Sequence, residues 1–395
     1  MNNIKDHENL REKKILLRLD LNVPLKNGVI EDETRINKIL PILKFLLKEN
    51  SKIIIISHIG RPKGKINLEL SLKPVCKNLE KKLNQKINLI SENLAKIKNT
   101  DLFKGLTENI LVLENIRFYI EEEKNDLEFS KNLASLADIY INDAFSCSHR
   151  AHASVTNITN FLPSYPGLQL SSEIEALENV TINIKKPVTC IMGGSKISTK
   201  IKMIKNLIPR FDNIIVVGGM ANNILGYKNF KIGKSIQEKN CSGILKDIFD
   251  ESEKHSCSLI YPVDVAVGKN LDDTPVVKGL AEIESDDMIL DIGPKTIKKI
   301  DDIINSSKTI LWNGPAGYCE NPKFAKGSNE IAKSIVKNCK KNSIYSVAGG
   351  GDTIAVLNKI NAYKDFNFVS TAGGAFLEFL EGKELPGIRA LKNHV

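Results

Sequence analysis

Four times in its second half this chain breaks a short apolar run into a glycine cluster: residues 189–196 (TCIMGGSK), 216–221 (VVGGMA), 345–353 (YSVAGGGDT) and 369–376 (VSTAGGAF). A strand that ends in glycines offers bare backbone N–H groups, the donors that phosphates use at strand-to-helix turns. Apolar runs in the first half end instead in charged or imidazole side chains, at residues 16–24 (LLRLDLNVP), 53–62 (IIIISHIGRP), 111–118 (LVLENIRF) and 139–152 (IYINDAFSCSHRAH). Arginines at strand ends offer forked, permanently charged donors to phosphate or carboxylate. The pattern implies two differently built anion sites, one per half, as an enzyme holding a nucleotide and a small acidic substrate would need.

A chain of 395 residues exceeds what one hydrophobic core organises, so two domains are expected. Strand-like runs fall at 14–19, 52–57, 110–113, 138–142, 187–192, 213–217, 258–263, 309–312, 343–348 and 367–370. Their unbroken apolar character fits strands buried on both faces of a parallel sheet. Helical periodicity appears at 34–49, with Pro41 a candidate kink, and at 72–83, 127–137, 196–208, 294–305, 323–336, 352–360 and 374–380. The alternation predicts an α/β fold: two doubly wound domains, each a mainly parallel sheet flanked by helices. Prolines and a glycine at 161–167 mark the expected boundary, and 168–181 reads as a helix joining the two sheets.

The net charge of +9 is spread along helix surfaces, and aromatics make up 6% of the chain. Nucleic-acid binding wants a dense basic stripe interleaved with aromatics, so no nucleic-acid partner is expected. No apolar run approaches the roughly 20 residues that span a bilayer, and the first residues lack a signal core, so a cytoplasmic protein without a membrane partner is expected. The seven cysteines form no C-x-x-C pair, which argues against a zinc site or a disulfide framework. A monomer is the expectation.

The glycine loops are neither a Walker A motif nor a G-x-G-x-x-G dinucleotide fingerprint, and the H-R-D and D-F-G tripeptides are absent. The missing fingerprint argues against an NAD-dependent dehydrogenase. Each G-G pair alone could be a tight turn or a close strand–helix contact. In the first half, alternation puts Arg18, Asp20 and Asn22 on one side of an extended chain, while His58, Arg61, Arg117 and Arg150 stand at other strand ends. An Asx turn is the plain alternative for Asp20 and Asn22.

Read together in chain order, RLDLNVP, SHIGRP, ENIRF, NDAF with HRAHAS, GGSK with STK, ILWNGPAG, AGGGDT and STAGGAFLE closely resemble the phosphoglycerate kinase family over essentially the whole chain. The resemblance implies that residues 1–167, with a C-terminal tail at about 385–395, bind 3-phosphoglycerate, and that 168–384 bind the nucleotide across a hinge that closes. Asp20, Asn22, Arg35, His58, Arg61, Arg117 and Arg150 would hold 3-phosphoglycerate, with Arg61, Arg117 and Arg150 on its phosphate. Arg35, Lys196, Gly373 and Gly374 would face the phosphoryl group in flight. Lys200, Gly350, Gly351 and Thr353 would hold the phosphates of ATP or ADP, Glu320 the ribose, and Asp352 Mg²⁺. The implied reaction is ATP + 3-phosphoglycerate ⇌ ADP + 1,3-bisphosphoglycerate. A non-catalytic nucleotide- or anion-binding protein on the same fold is the alternative.

The lysines at 196 and 200, four apart, are expected on one face at a helix start. His58 and His152 are expected to be ligands or structural groups, since a carboxylate nucleophile needs no base. Four positions depart from the family pattern: Ala372 and Val217 where glycine is usual, and Ser146 and Cys147 where glycine and threonine are common. Ala372 would add a methyl beside the phosphates and disfavour positive φ.

Overall fold

The computed structural model describes residues 4–6 and 9–393. The chain divides into two compact units, one of residues 1–174 with 384–395 and one of 175–383. The ends of the expected first domain, residues 1–3, 7–8 and 394–395, lie outside the described residues.

In the first unit six strands form one sheet in the spatial order Asn88–Ile90, Ile110–Leu113, Lys52–Ile56, Lys14–Leu19, Ile139–Asp143, Ser164–Pro166, and every pairing is parallel. Residues 53–56 are wholly buried isoleucines, which is what a strand covered on both faces requires. Each such side chain contributes about 1.5–3 kcal/mol of apolar burial. The helix Thr34–Lys48 turns Ile36, Ile39, Ile42, Leu43 and Leu46 inward and continues through Pro41. Residues 161–167 are not a bare linker. Ser164–Pro166 is the edge strand, where a proline leaves no central ladder bond unmade. The helix Leu168–Thr181 follows, and the division between the units falls inside it. The helix Pro386–Lys392 belongs to the first unit, where Gly387 N–H donates to the Ser148 carbonyl at 2.9 Å.

The second unit has a six-stranded parallel sheet in the order Ser258–Ile260, Asn213–Val216, Val188–Met192, Thr309–Asn313, Tyr345–Gly349, Phe368–Ser370. Counted along the chain this is 3-2-1-4-5-6, the doubly wound order whose direction reverses between the first and fourth strands. In the first unit the order is 3-4-2-1-5-6, and the reversal lies between Lys14–Leu19 and Ile139–Asp143. Ligands in such sheets bind beyond the carboxyl ends of the strands flanking that reversal.

A second sheet was not expected. Asp264–Gly268, Val276–Gly279 and Met288–Ile292 form a three-stranded antiparallel sheet, so the run at 258–263 ends its parallel strand at Ile260. The buried Asp264 explains the turn there. Its carboxylate accepts from the N–H groups of Lys295 and Thr296 at 2.9 and 2.8 Å, capping the helix Pro294–Ser306. The helix expected over 323–336 is a short turn, Pro322–Phe324, followed by Lys326–Asn342. Among the described residues no helix is long and apolar enough to cross a membrane.

Candidate functional site

In the first unit the site grows from a buried cation. Arg18 points under the sheet end with no exposed surface. Its Nε donates to Ser154 Oγ at 3.0 Å and its Nη1 to the Leu19 carbonyl at 2.7 Å. Ser154 in turn donates to the buried Glu122, which supplies the compensating negative charge. Arg18 Nη2 lies 3.1 Å from His58 Nδ1. A guanidinium has no lone pair to offer, so Nδ1 is the acceptor and the proton of the neutral ring sits on Nε2. His58 stays neutral because burial, followed by the positive charges of Arg18, Arg117 and Arg35, pushes its pKa well below the ordinary value. Burial, followed by the charges of Arg117, Arg18 and Arg150, holds His152 at about 3. Both imidazoles are therefore neutral near pH 7.

Asp20 and Asn22 follow the Lys14–Leu19 strand. Asp20 Oδ1 accepts from Arg35 Nη1 at 2.8 Å, and Oδ2 from Ser146 Oγ at 2.5 Å. Asn22 Oδ1 accepts from Gly60 N–H at 2.9 Å, and Arg117 Nη1 donates to the Gly60 carbonyl at 3.0 Å. Gly60 thereby ties three of the expected ligand loops together and carries the exposed Arg61 beside it. Arg150 is exposed, its Nε 3.0 Å from His149 Nε2. The structure thus gathers Asp20, Asn22, Arg35, His58 and Arg117 at the strand ends, with Arg61 and Arg150 on the surface nearby. Cys147, buried, lies 3.6 Å from Arg18 Nη2.

In the second unit the site is built from main chain. The first glycine loop interlocks with the loop after Thr309–Asn313: Gly193 N–H donates to the Asn313 carbonyl, and Gly218 N–H to that of Ala316. A Cβ on Gly193 would stand 1.9 Å from the Pro315 carbonyl oxygen, so only glycine fits. Lys200 closes the joint. Its Nζ donates to the carbonyls of Gly193 at 2.7 Å and Asn313 at 3.1 Å, and to Asn313 Oδ1 at 2.5 Å. Burial lowers its pKa to about 8, against the pull of Cys190 and Asp352. A cavity of about 330 Å³ opens beside this joint, lined by Gly194, Gly219 and Asp352 at one side, by Glu320, and by Ile236, Leu271 and Leu290 as apolar walls. An apolar slot next to bare N–H groups and a lysine suits a base joined to phosphates.

The lysine pair corrects an expectation. The helix is Ile201–Leu207, not 196–208, and Lys200 is its N-cap. Lys196 sits in the preceding loop, exposed, so the two do not share a helix face. Asp352 lies in the first turn of the helix Gly351–Lys359, and no hydrogen bond or ion pair engages its carboxylate among the described residues. Gly350 precedes that helix at φ 98°. Thr353 is buried and its hydroxyl accepts from Gly314 N–H at 2.7 Å. Gly373 and Gly374 are exposed at the start of Gly374–Leu380, and the positive φ of that loop, 56°, falls on Gly373 rather than on Ala372. Val217 is extended, at φ −132°, and Ala372 has no positive φ, so neither departure from glycine forces a side chain into the left-handed region.

Several contributors escaped the sequence reading. Asn313 was seen only inside a motif, and its role depends on carbonyls that carry no sequence signal. Ser146 was noted as a departure, not as the partner of Asp20. Glu122, the middle of three consecutive glutamates, carries no signal in the sequence, yet it is fully buried.

Comparison with known proteins matches this architecture. The family model described as Phosphoglycerate kinase matches residues 4–383. A phosphoglycerate kinase of Wolbachia sp. subsp. Brugia malayi (strain TRS) is 44% identical over 397 residues, covering 100% of this chain and 99% of the relative. That of Caulobacter vibrioides (strain NA1000 / CB15N) is 41% identical, covering 98% of each. The solved phosphoglycerate kinase from Coxiella burnetii is similar with a TM-score of 0.91 at 38% identity, covering 99% of both chains. The enzyme from Pyrococcus horikoshii OT3 gives 0.82 at 29% identity, covering 100% of this chain and 99% of the other. Full-length agreement in sequence, and the same doubly wound pair of sheets in solved relatives, place this chain in the phosphoglycerate kinase family.

Proposed function

We propose that this chain transfers the terminal phosphoryl group of ATP to the carboxylate of 3-phosphoglycerate, giving 1,3-bisphosphoglycerate and ADP, in both directions. The observation that carries the reading is the chemical contrast of the two strand-end sites, arginines and a neutral imidazole in one unit, glycine N–H groups and a lysine in the other, in a chain aligned with its family from end to end. The first unit takes 3-phosphoglycerate and the second takes the nucleotide.

Arg61, Arg117 and Arg150 bind the phosphate of the acid. Asp20, Asn22 and the Nε2–H of His58 receive its hydroxyl and carboxylate end. The substrate carboxylate is ionised at neutral pH because carboxyl pKa values lie near ~4, so the nucleophile needs no base. What remains is alignment and cancellation of charge on the moving group, which Arg35, Lys196 and the N–H groups of Gly373 and Gly374 supply. Lys200 and the backbone of Gly350, Gly351 and Thr353 hold the polyphosphate, and Glu320 the ribose. An unengaged carboxylate at the cavity edge is the hard oxygen donor that Mg²⁺ takes alongside phosphate oxygens and waters, so Asp352 fits as its protein ligand. When bound, Mg²⁺ neutralises part of the phosphate charge. We further infer a cytoplasmic monomer with no nucleic-acid or membrane partner; seven free thiols suit a reducing compartment.

Purified protein supplied with Mg-ATP and 3-phosphoglycerate should form 1,3-bisphosphoglycerate in a coupled assay. ATP binding without turnover would overturn the reading. Lys196→Ala should lower kcat by roughly 10²–10³, as removal of a transition-state donor does. An unchanged kcat would strip Lys196 of this role.

A further inference from the structure

We propose that Ser146 is a positioning residue for the acid substrate, acting through Asp20; the inference rests on the reading of the Asp20 loop as the 3-phosphoglycerate site. Ser146 lies in the short turn Phe145–Cys147 that follows the Ile139–Asp143 strand, across the topological reversal from Asp20. Its Oγ donates to Asp20 Oδ2 at 2.5 Å, the range of a hydroxyl bonded to an ionised carboxylate. The other oxygen, Oδ1, accepts from Arg35 Nη1 at 2.8 Å and from Asn22 N–H at 3.2 Å. Each carboxylate oxygen therefore has its own donor, and the plane of the group is fixed. Without Ser146, Oδ1 keeps its two donors but no side chain holds Oδ2.

The hydroxyl has one proton, and it goes to Asp20. An oxygen of an ionised carboxylate has more than one acceptor position, so Oδ2 can still receive the substrate hydroxyl while Ser146 holds it. The turn that carries Ser146 is fixed independently of this bond. Cys147 N–H donates to the Ala144 carbonyl at 3.0 Å, Ser148 N–H to that of Phe145 at 2.9 Å, and the Ser148 carbonyl accepts from Gly387. Loss of the hydroxyl should then loosen Asp20 without unfolding the turn. Binding made equally in ground and transition state appears in KM, not in kcat.

Steady-state kinetics of the full chain test this with Ser146→Ala, Ser146→Thr, Asp20→Ala and the Ser146→Ala/Asp20→Ala double variant. Ser146→Ala should raise KM for 3-phosphoglycerate roughly five- to tenfold, with kcat and KM for ATP within about twofold. Ser146→Thr, which keeps the hydroxyl, should stay within about twofold of the parent. In the Asp20→Ala background the alanine at 146 should add less than about twofold, because the two act as one unit. An unchanged KM in Ser146→Ala, or its full effect persisting without Asp20, would overturn the proposal. If Ser146→Ala does not fold, Ser146→Val against the isosteric Ser146→Thr gives the same comparison. A parent protein that turns over normally while these variants match it sinks only the role of Ser146. A parent protein that neither binds nor converts 3-phosphoglycerate sinks the functional reading itself.

Discussion

The two candidate sites are built by opposite means. In the first, side chains do it: Arg18 and Glu122 are joined through Ser154, Arg18 orients His58, Arg35 pairs with Asp20, and Arg117 holds the Gly60 carbonyl. In the second, main chain does it: the loops at Gly193, Gly218 and Gly314 lock carbonyl to N–H, and Lys200 fastens them. A side-chain site can be retuned one residue at a time, because each charge is an independent choice. A backbone site accepts no such editing at its joints, since an added Cβ strikes a neighbouring carbonyl. It tolerates change where the backbone is extended, as at Val217.

The comparison breaks first at Gly193. Gly193→Ala would place a methyl 1.9 Å from the Pro315 oxygen, so the two loops must part. We expect destabilisation on the order of 4 kcal/mol, the scale of severe core lesions, and loss of ADP binding by titration calorimetry. Wild-type ADP affinity in this variant would show that the cradle does not depend on the joint.

The next effect is electrostatic. Burial lowers Lys200 from 10.5 to about 8, so the folded protein loses this charge as pH rises through 8, where an exposed lysine would keep it. ADP affinity should therefore fall about tenfold between pH 7 and pH 9, following the protonated fraction. Lys200→Met should bind more weakly and show a flat profile over that range. Stability runs the other way: the unfolded chain binds the extra proton between about 8 and 10.5, so this group makes stability rise with pH there. A wild-type affinity that stays level to pH 9 would refute the assignment of Lys200 to the phosphates.

The smallest effect belongs to Ala372. Its N–H already reaches Ser370 Oγ at 3.3 Å, and Gly373 carries the left-handed φ, so reversion gains little. Ala372→Gly should leave kcat/KM within about threefold, under ~1 kcal/mol. A hundredfold gain would mean that the methyl obstructs the phosphate track after all.

Strand identity was legible where burial on both faces imposes unbroken β-branched runs, as at 53–56 and 214–216. The antiparallel sheet was not, because Val276 and Val277 are exposed and the buried carboxylates of Asp264 and Asp291 interrupt the apolar pattern. The candidate residues of the first site were legible because arginine and histidine at strand ends announce themselves. What holds them was hidden. Ser146 meets Asp20 across 126 residues, and Lys200 serves carbonyls, which every residue owns. A four-residue spacing suggested a shared helix face for Lys196 and Lys200, and the chain placed the helix start one residue after Lys200 instead.

The helix Pro386–Lys392 supports the turn that leads to Ser146, through Gly387 and Ser148. During synthesis the second unit, contiguous over 175–383, emerges whole and free to fold while its predecessor still lacks this brace. The unit begun first on the ribosome is therefore finished last, and loss of the helix Pro386–Lys392 would remove the Gly387 bond that braces the turn carrying Ser146.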